Sequence, residues 1–117
     1  MSARYKATIK QGSTFERNIT WKTPTGTIIP LDNLSARMQI RSRTPDGNLV
    51  IDLDSATKGG ITLNTTTDVL TIKITAAQTA SMPVDDYIYD LEVEDLSHNV
   101  YTLIYGEIKF IAEVTHA

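Results

Sequence analysis

Residues 86–94 read Asp-Tyr-Ile-Tyr-Asp-Leu-Glu-Val-Glu. Side chains of a strand point to opposite faces with period two. Tyr87, Tyr89, Leu91 and Val93 therefore share one face, and Asp86, Asp90, Glu92 and Glu94 share the other with Ile88. Alternation this strict separates strand from helix. Residues 36–43 mirror it with the opposite charge. Ala36, Met38, Ile40 and Ser42 fall on one face, and Arg37, Gln39, Arg41 and Arg43 on the other. Two strands with apolar inner faces and opposite outer charges suit neighbouring places in a sheet. Arg37 and Arg41 are then expected to face Asp90, Glu92 or Glu94 across it.

The same reading predicts strands at about 4–10, 14–21, 27–31, 48–54, 61–63, 69–74 and 100–112, each bounded by turn residues. Thr23-Pro24-Thr25-Gly26 and Thr44-Pro45-Asp46-Gly47 carry turn chemistry. Leu49, Ile51 and Leu53 share one face of their strand, and Leu34 tucks a connection into the core. In 14–21, Phe15, Ile19 and Trp21 share a face with Arg17, a charge on the apolar side that snorkels past the core edge or reaches a loop carbonyl. The last strand changes phase near Gly106, and a β-bulge there would restore its inward face. Residues 75–82 alone read as helical. Thr75 is an N-cap, Gln78 completes a capping box and Pro83 ends the turn. Seven to nine short antiparallel strands and one helical turn make an all-β sandwich or barrel. Its expected core contains Trp21, Ile40, Ile72, Tyr89 and Leu91.

The 117 residues suit a single domain, 1–117. The chain has no cysteine, so no disulfide contributes. It has no apolar run long enough to span a membrane as a helix, and its start lacks the apolar core of a signal peptide. The expectation is a protein made in the cytoplasm and not secreted. Charge is split along the chain. Residues 1–50 hold eight Lys/Arg and three Asp/Glu, a net of +5, and residues 51–117 hold three and eleven, a net of −8. The basic residues alternate along strands and form no tail, so the two halves are expected to meet across a sheet.

The pattern holds little chemistry. Nucleophilic catalysis needs a base that is oriented by its surroundings. His98 lies in an expected hairpin turn and His116 beside the C-terminus, and neither has such a setting. No His or Cys spacing suits a metal. The acids Asp90, Glu92 and Glu94 are strung along a strand, where calcium ligands would converge from a loop. Arg37, Arg41 and Arg43 lack alternating aromatics for stacking nucleic-acid bases. No catalytic, cofactor-binding or metal-binding residue is therefore assigned, and no enzyme, cofactor, nucleic acid or membrane is expected. Trp21, Tyr87, Tyr89, Tyr101 and Tyr105 could form a sugar platform, but their alternation with aliphatics favours core packing.

Several stretches carry a resemblance. They are Ile9 to Gly12, then Phe15-x-Arg17-x-Ile19-x-Trp21, then Ala36 to Arg41, then Thr75 through Pro83 to Glu92, and finally Tyr105-Gly106-Glu107-Ile108-Lys109. On these the chain resembles small tailed-bacteriophage virion proteins with an immunoglobulin-like sandwich. It is also similar to the N-terminal domain of phage upper-baseplate proteins. The resemblance implies a virion location and a non-enzymatic structural or assembly subunit of the tail, baseplate or neck. Its partners would be other virion proteins, in a ring-like homo-oligomer. Docking is expected through residues 4–10, 44–47 and 55–68. A capsid decoration protein, or a module binding a carbohydrate or host surface, is the alternative. Exposure of Trp21 or Tyr101 in a groove would favour the binding module, and their burial the structural subunit. The corner before residue 87 is also similar to one in immunoglobulin-type domains, where a tyrosine hydroxyl ties down the loop. Tyr87 is the candidate for that role.

Overall fold

A computed structural model describes residues 3–43 and 47–114. Nine strands and one helix follow in chain order. They are β1 (Ala3–Arg4), β2 (Ala7–Lys10), β3 (Phe15–Ile19), β4 (Ser35–Ser42), β5 (Leu49–Asp54), β6 (Ile61–Asn64), β7 (Val69–Ile74), α1 (Ala76–Ala80), β8 (Asp86–Glu94) and β9 (Val100–Ile111). Two sheets form an immunoglobulin-like all-β sandwich. The larger runs β1-β9-β8-β4-β5, with β2 also on β9, and the smaller runs β3-β7-β6.

The alternating segments place the core. β8 pairs with β4 on one side and β9 on the other. Its Tyr87, Tyr89, Leu91 and Val93 are buried, as are Ala36, Met38 and Ile40 of β4. Leu70, Ile72 and Ile74 of β7 and Phe15 of β3 face them from the smaller sheet. Ile40, Ile72, Tyr89 and Leu91 thus share one core, while Trp21 packs against it half-buried. Helix α1 follows β7 and buries Thr79. Thr75 and Gln78 form both halves of a capping box. The fully buried Thr79 hydroxyl donates to the Ser13 carbonyl at 2.7 Å, which satisfies its polar atom inside the core.

The structure departs from the expected strands in four places. β1 and β2 pair with β9 in parallel, so the strands are not all antiparallel. Residues 27–31 form no strand. They contribute one bridge, Lys22 to Ile28, and it is Leu31 that is buried, while Leu34 is half-buried. In β5, Ile51 pairs with Ile40 and Leu49 with Arg41, which leaves Val50 as an extra residue and turns Leu49 outward. The bulge in β9 is not at Gly106. Leu91 pairs with Ile104 and Glu92 with Thr102, so Leu103 is the unpaired residue and the phase changes there. The turn expected at Thr44–Gly47 lies outside the described residues except for Gly47.

Gly106 answers a different demand. It lies opposite Tyr89, and the main chain of Tyr5 crosses it. A Cβ at Gly106, whose φ is +154°, would sit 2.3 Å from the Tyr5 carbonyl oxygen. That oxygen accepts a 2.7 Å hydrogen bond from the Tyr89 hydroxyl. Nearby, the Tyr87 hydroxyl donates to the Pro83 carbonyl at 3.0 Å, and the Tyr87 ring meets Phe110 edge-on at 5.5 Å.

Two substitutions probe these ties by urea denaturation. Gly106→Ala is expected to destabilise by about 1–3 kcal/mol, because backbone must move to admit the methyl. Tyr87→Phe is expected to cost about 1 kcal/mol, one part-buried hydrogen bond with no loss of packing. Equal midpoints for wild type and Gly106→Ala would show that Tyr5 does not hold its place over Gly106.

Candidate functional site

Two surfaces stand out, one polar and one apolar. The first is the outer face of the larger sheet. Cross-strand register sets Arg37 between Glu92 and Asp54, and Gln39 between Asp90 and Asp52. Arg37 Nε donates to Glu92 Oε1 at 3.0 Å. Such an exposed pair is worth about 0.2–1 kcal/mol. Arg41 faces Ile88 in the register, and its guanidinium hydrogen-bonds to neutral groups. It donates to the Gly47 carbonyl and to Gln39 Oε1, both at 2.8 Å. The expected pairing of Arg41 with an acid of β8 is therefore absent as an ion pair. Glu94 instead meets His98 Nδ1 at 3.1 Å in the 95–99 turn. Lys58 pairs with Asp52.

Glu107 was not foreseen as part of this face. Its two carboxylate oxygens take Arg4 at 3.5 Å and Arg43 at 3.8 Å, bases from opposite sides of β8. Its partners Arg4 and Arg43 are distant in the chain, so no local pattern marks it in the sequence. Asp90 is the unusual acid. Burial, then the neighbouring Glu92, raise its pKa, against the opposing pull of Arg37 and Arg41. Asp54, at the end of β5, and Asp95, in the turn after β8, behave oppositely. At Asp54, desolvation is outweighed by backbone N–H groups of Ala56, Lys58 and Gly59 and by the Lys58 charge, so its pKa falls. At Asp95, hydrogen bonds from the backbone and side chain of Asn99 lower the pKa.

The second surface is the flank between β2 and β3. A cavity of about 250 Å³ opens there, lined by apolar side chains including Ala7, Phe15, Ile19, Met38 and Ile104. Arg17 and Tyr5 also line it. The Arg17 guanidinium lies 4.5 Å over the Phe15 ring. Its Nη1 donates to the Glu16 carbonyl at 2.9 Å, and its Nε reaches the Tyr5 hydroxyl at 3.4 Å. The placement of an arginine on an apolar face was the sequence signal for this site. Burial pushes the Tyr89 phenol, behind the cavity, up to about 12.

The remaining candidates sit apart from both surfaces. Trp21 and Tyr101 lean on each other with ring centroids 5.5 Å apart and planes 47° apart. Trp21 is half-buried and Tyr101 exposed, so the tilted pair presents no flat shared platform. His98 is an exposed turn residue with φ +66°, and His116 lies outside the described residues. Among the described residues no three His, Cys, Asp or Glu side chains gather as a metal site, and no helix is long and apolar enough to cross a membrane. Comparison with known protein families and with curated proteins finds no match to this chain.

The opposed pKa shifts predict opposed pH effects. A raised carboxyl pKa means that the folded state binds the proton more readily, so ionisation of Asp90 opposes folding above the ordinary aspartate value. Asp90→Asn is expected to raise stability at neutral pH, with the gain vanishing in acid. Asp54 and Asp95 contribute stability above the ordinary value, and it is lost as pH falls through their lowered values. Asp54→Asn is thus expected to lower stability at neutral pH, the deficit shrinking in acid. Thermal unfolding between pH 3 and 7 reads both trends. Parallel curves for all three proteins would contradict them.

Proposed function

We propose that this protein is a non-enzymatic structural or assembly subunit of a tailed-phage particle, placed in the tail, baseplate or neck and docking onto larger virion proteins. The observation that supports this best is the unequal width of the sheets. The smaller sheet ends at β3, whose outer edge carries no strand among the described residues. An open strand edge is a template for main-chain hydrogen bonding to another protein. Polar chemistry is arranged otherwise, since the acids and bases of the broad face are engaged mainly with each other. Residues 55–68, expected as a docking loop, are partly internal: Gly60 bridges Asp54, and Ile61–Asn64 is strand β6. That leaves the N-terminal edge and β3 as the better candidates. The half-buried Trp21 favours structure over sugar binding.

Deleting the gene and comparing purified particles by mass spectrometry tests this reading. Loss of this chain from mature tails, with defective tails or failed assembly, is the expected result. Finding it on heads alone would identify a decoration protein. Particles of unchanged composition would refute a virion role, and specific binding to a glycan array would favour a host-surface module.

A further inference from the structure

The flank between β2 and β3 combines three features. The smaller sheet stops at β3, while the larger continues opposite it through β9 to β1 and β2. The gap between them holds an apolar cavity of about 250 Å³. Folded interiors hold few voids larger than a water molecule, and apolar ones accept apolar guests. At its lining stands Arg17, on the inner face of β3 in register with Ile72. Its partners are a phenol, a carbonyl and an aromatic ring, and no carboxylate forms a salt bridge with it among the described residues. Residues 3–19 carry Arg4, Lys6, Lys10 and Arg17 against the lone acid Glu16.

We propose that β3 accepts an extended segment of a neighbouring protein as a fourth strand of the smaller sheet, with apolar side chains in the cavity and a carboxylate on Arg17. Strand geometry sets the pattern. The residue opposite Arg17 points to the same side as Arg17. Residues two positions away on either side lie beside Phe15 and Ile19 and point into the gap. The segment thus reads apolar, any, acidic, any, apolar. Main-chain bonds along the β3 edge supply affinity, and the cavity and Arg17 supply selection. The arginine–carboxylate bond is charge-assisted and forms beside an apolar wall, where it is stronger than in open water. The proposal rests on the assembly reading for the origin of the segment. Binding is measured on the isolated chain, so either can fail without the other.

The test titrates the isotope-labelled full chain with an acetylated, amidated heptapeptide, Thr-Leu-Thr-Glu-Thr-Leu-Thr, followed by NMR. Saturable shifts in β3 and in the Ala7 and Ile104 methyls are expected, with slowed amide exchange along β3. Peptides with lysine in place of glutamate, or serine in place of both leucines, are expected to bind at least about tenfold more weakly. Arg17→Glu, an exposed substitution, is expected to keep the fold and to reverse the preference toward the lysine peptide. Absence of saturation at millimolar peptide, equal binding of the glutamate and lysine peptides, or shifts confined to β5 and β6 would overturn the proposal. A dimer in sedimentation that Arg17→Glu dissolves would make the occupant a second copy, and would overturn its assignment to another protein.

Discussion

Strand β8 is paired along its length on both sides, and its register holds the rest of the sandwich in place. Val93, Leu91 and Tyr89 lie opposite Ala36, Met38 and Ile40 of β4, so each apolar row of one strand meets an apolar row of the other. A slip of one residue would turn four buried side chains to solvent and bring acids inside. Two tyrosines extend the constraint past the sheet. Tyr87 ties the strand to the corner it leaves, through the Pro83 carbonyl. Tyr89 ties it to a segment more than eighty residues away, through the Tyr5 carbonyl.

The second tie shapes the N-terminal edge. Ala3 pairs with Ile104 and Ala7 with Ile108, a single register offset on both sides of the interruption at Tyr5 and Lys6. No residue has been inserted or lost there. The break is therefore local, with the Tyr5 carbonyl directed to the Tyr89 hydroxyl across Gly106 in place of a ladder bond. The same turn of the chain brings the Tyr5 phenol toward Arg17. The glycine at position 106 and the hydrogen bond of the buried Tyr89 phenol thus both meet one crossing of the main chain.

Much of this was legible in the sequence wherever the signal is local. The limits of β8 and the capping box of Thr75 and Gln78 follow from residues a few positions apart, and the pairing of β4 with β8 from two such local patterns with opposite outer charge. Gly106 stood out as an interruption, but its reason lies in Tyr5, about a hundred residues distant, and no local pattern carries that. Parallel pairing of β1 and β2 on β9 was equally hidden, since alternation looks the same in either direction. Arg41 shows a finer limit. Its strand lies where expected, yet the Gly47 carbonyl and the Gln39 side chain take its guanidinium's hydrogen bonds, and no acid of β8 does. Arg17 was visible as an anomaly because a charge broke an apolar row. Its contact with Tyr5 could not be read, since Tyr5 lies outside β3 beside the other sheet.

The charge split along the chain also finds its physical reason in the pairing. Arg37 with Glu92, and Arg4 and Arg43 with Glu107, join bases of the first half to acids of the second. Burying that face under a partner would desolvate ions already satisfied, with little new attraction in return. The raised pKa of Asp90 shows that the face already holds one acid that would resist further burial as an anion. The flank has the opposite character. Its wall is apolar, and among the described residues its cation is engaged only by neutral groups. Removing water there costs little on the apolar side and strengthens any bond that Arg17 makes to an anion. Of the two surfaces, the flank is therefore the one proposed as the docking surface.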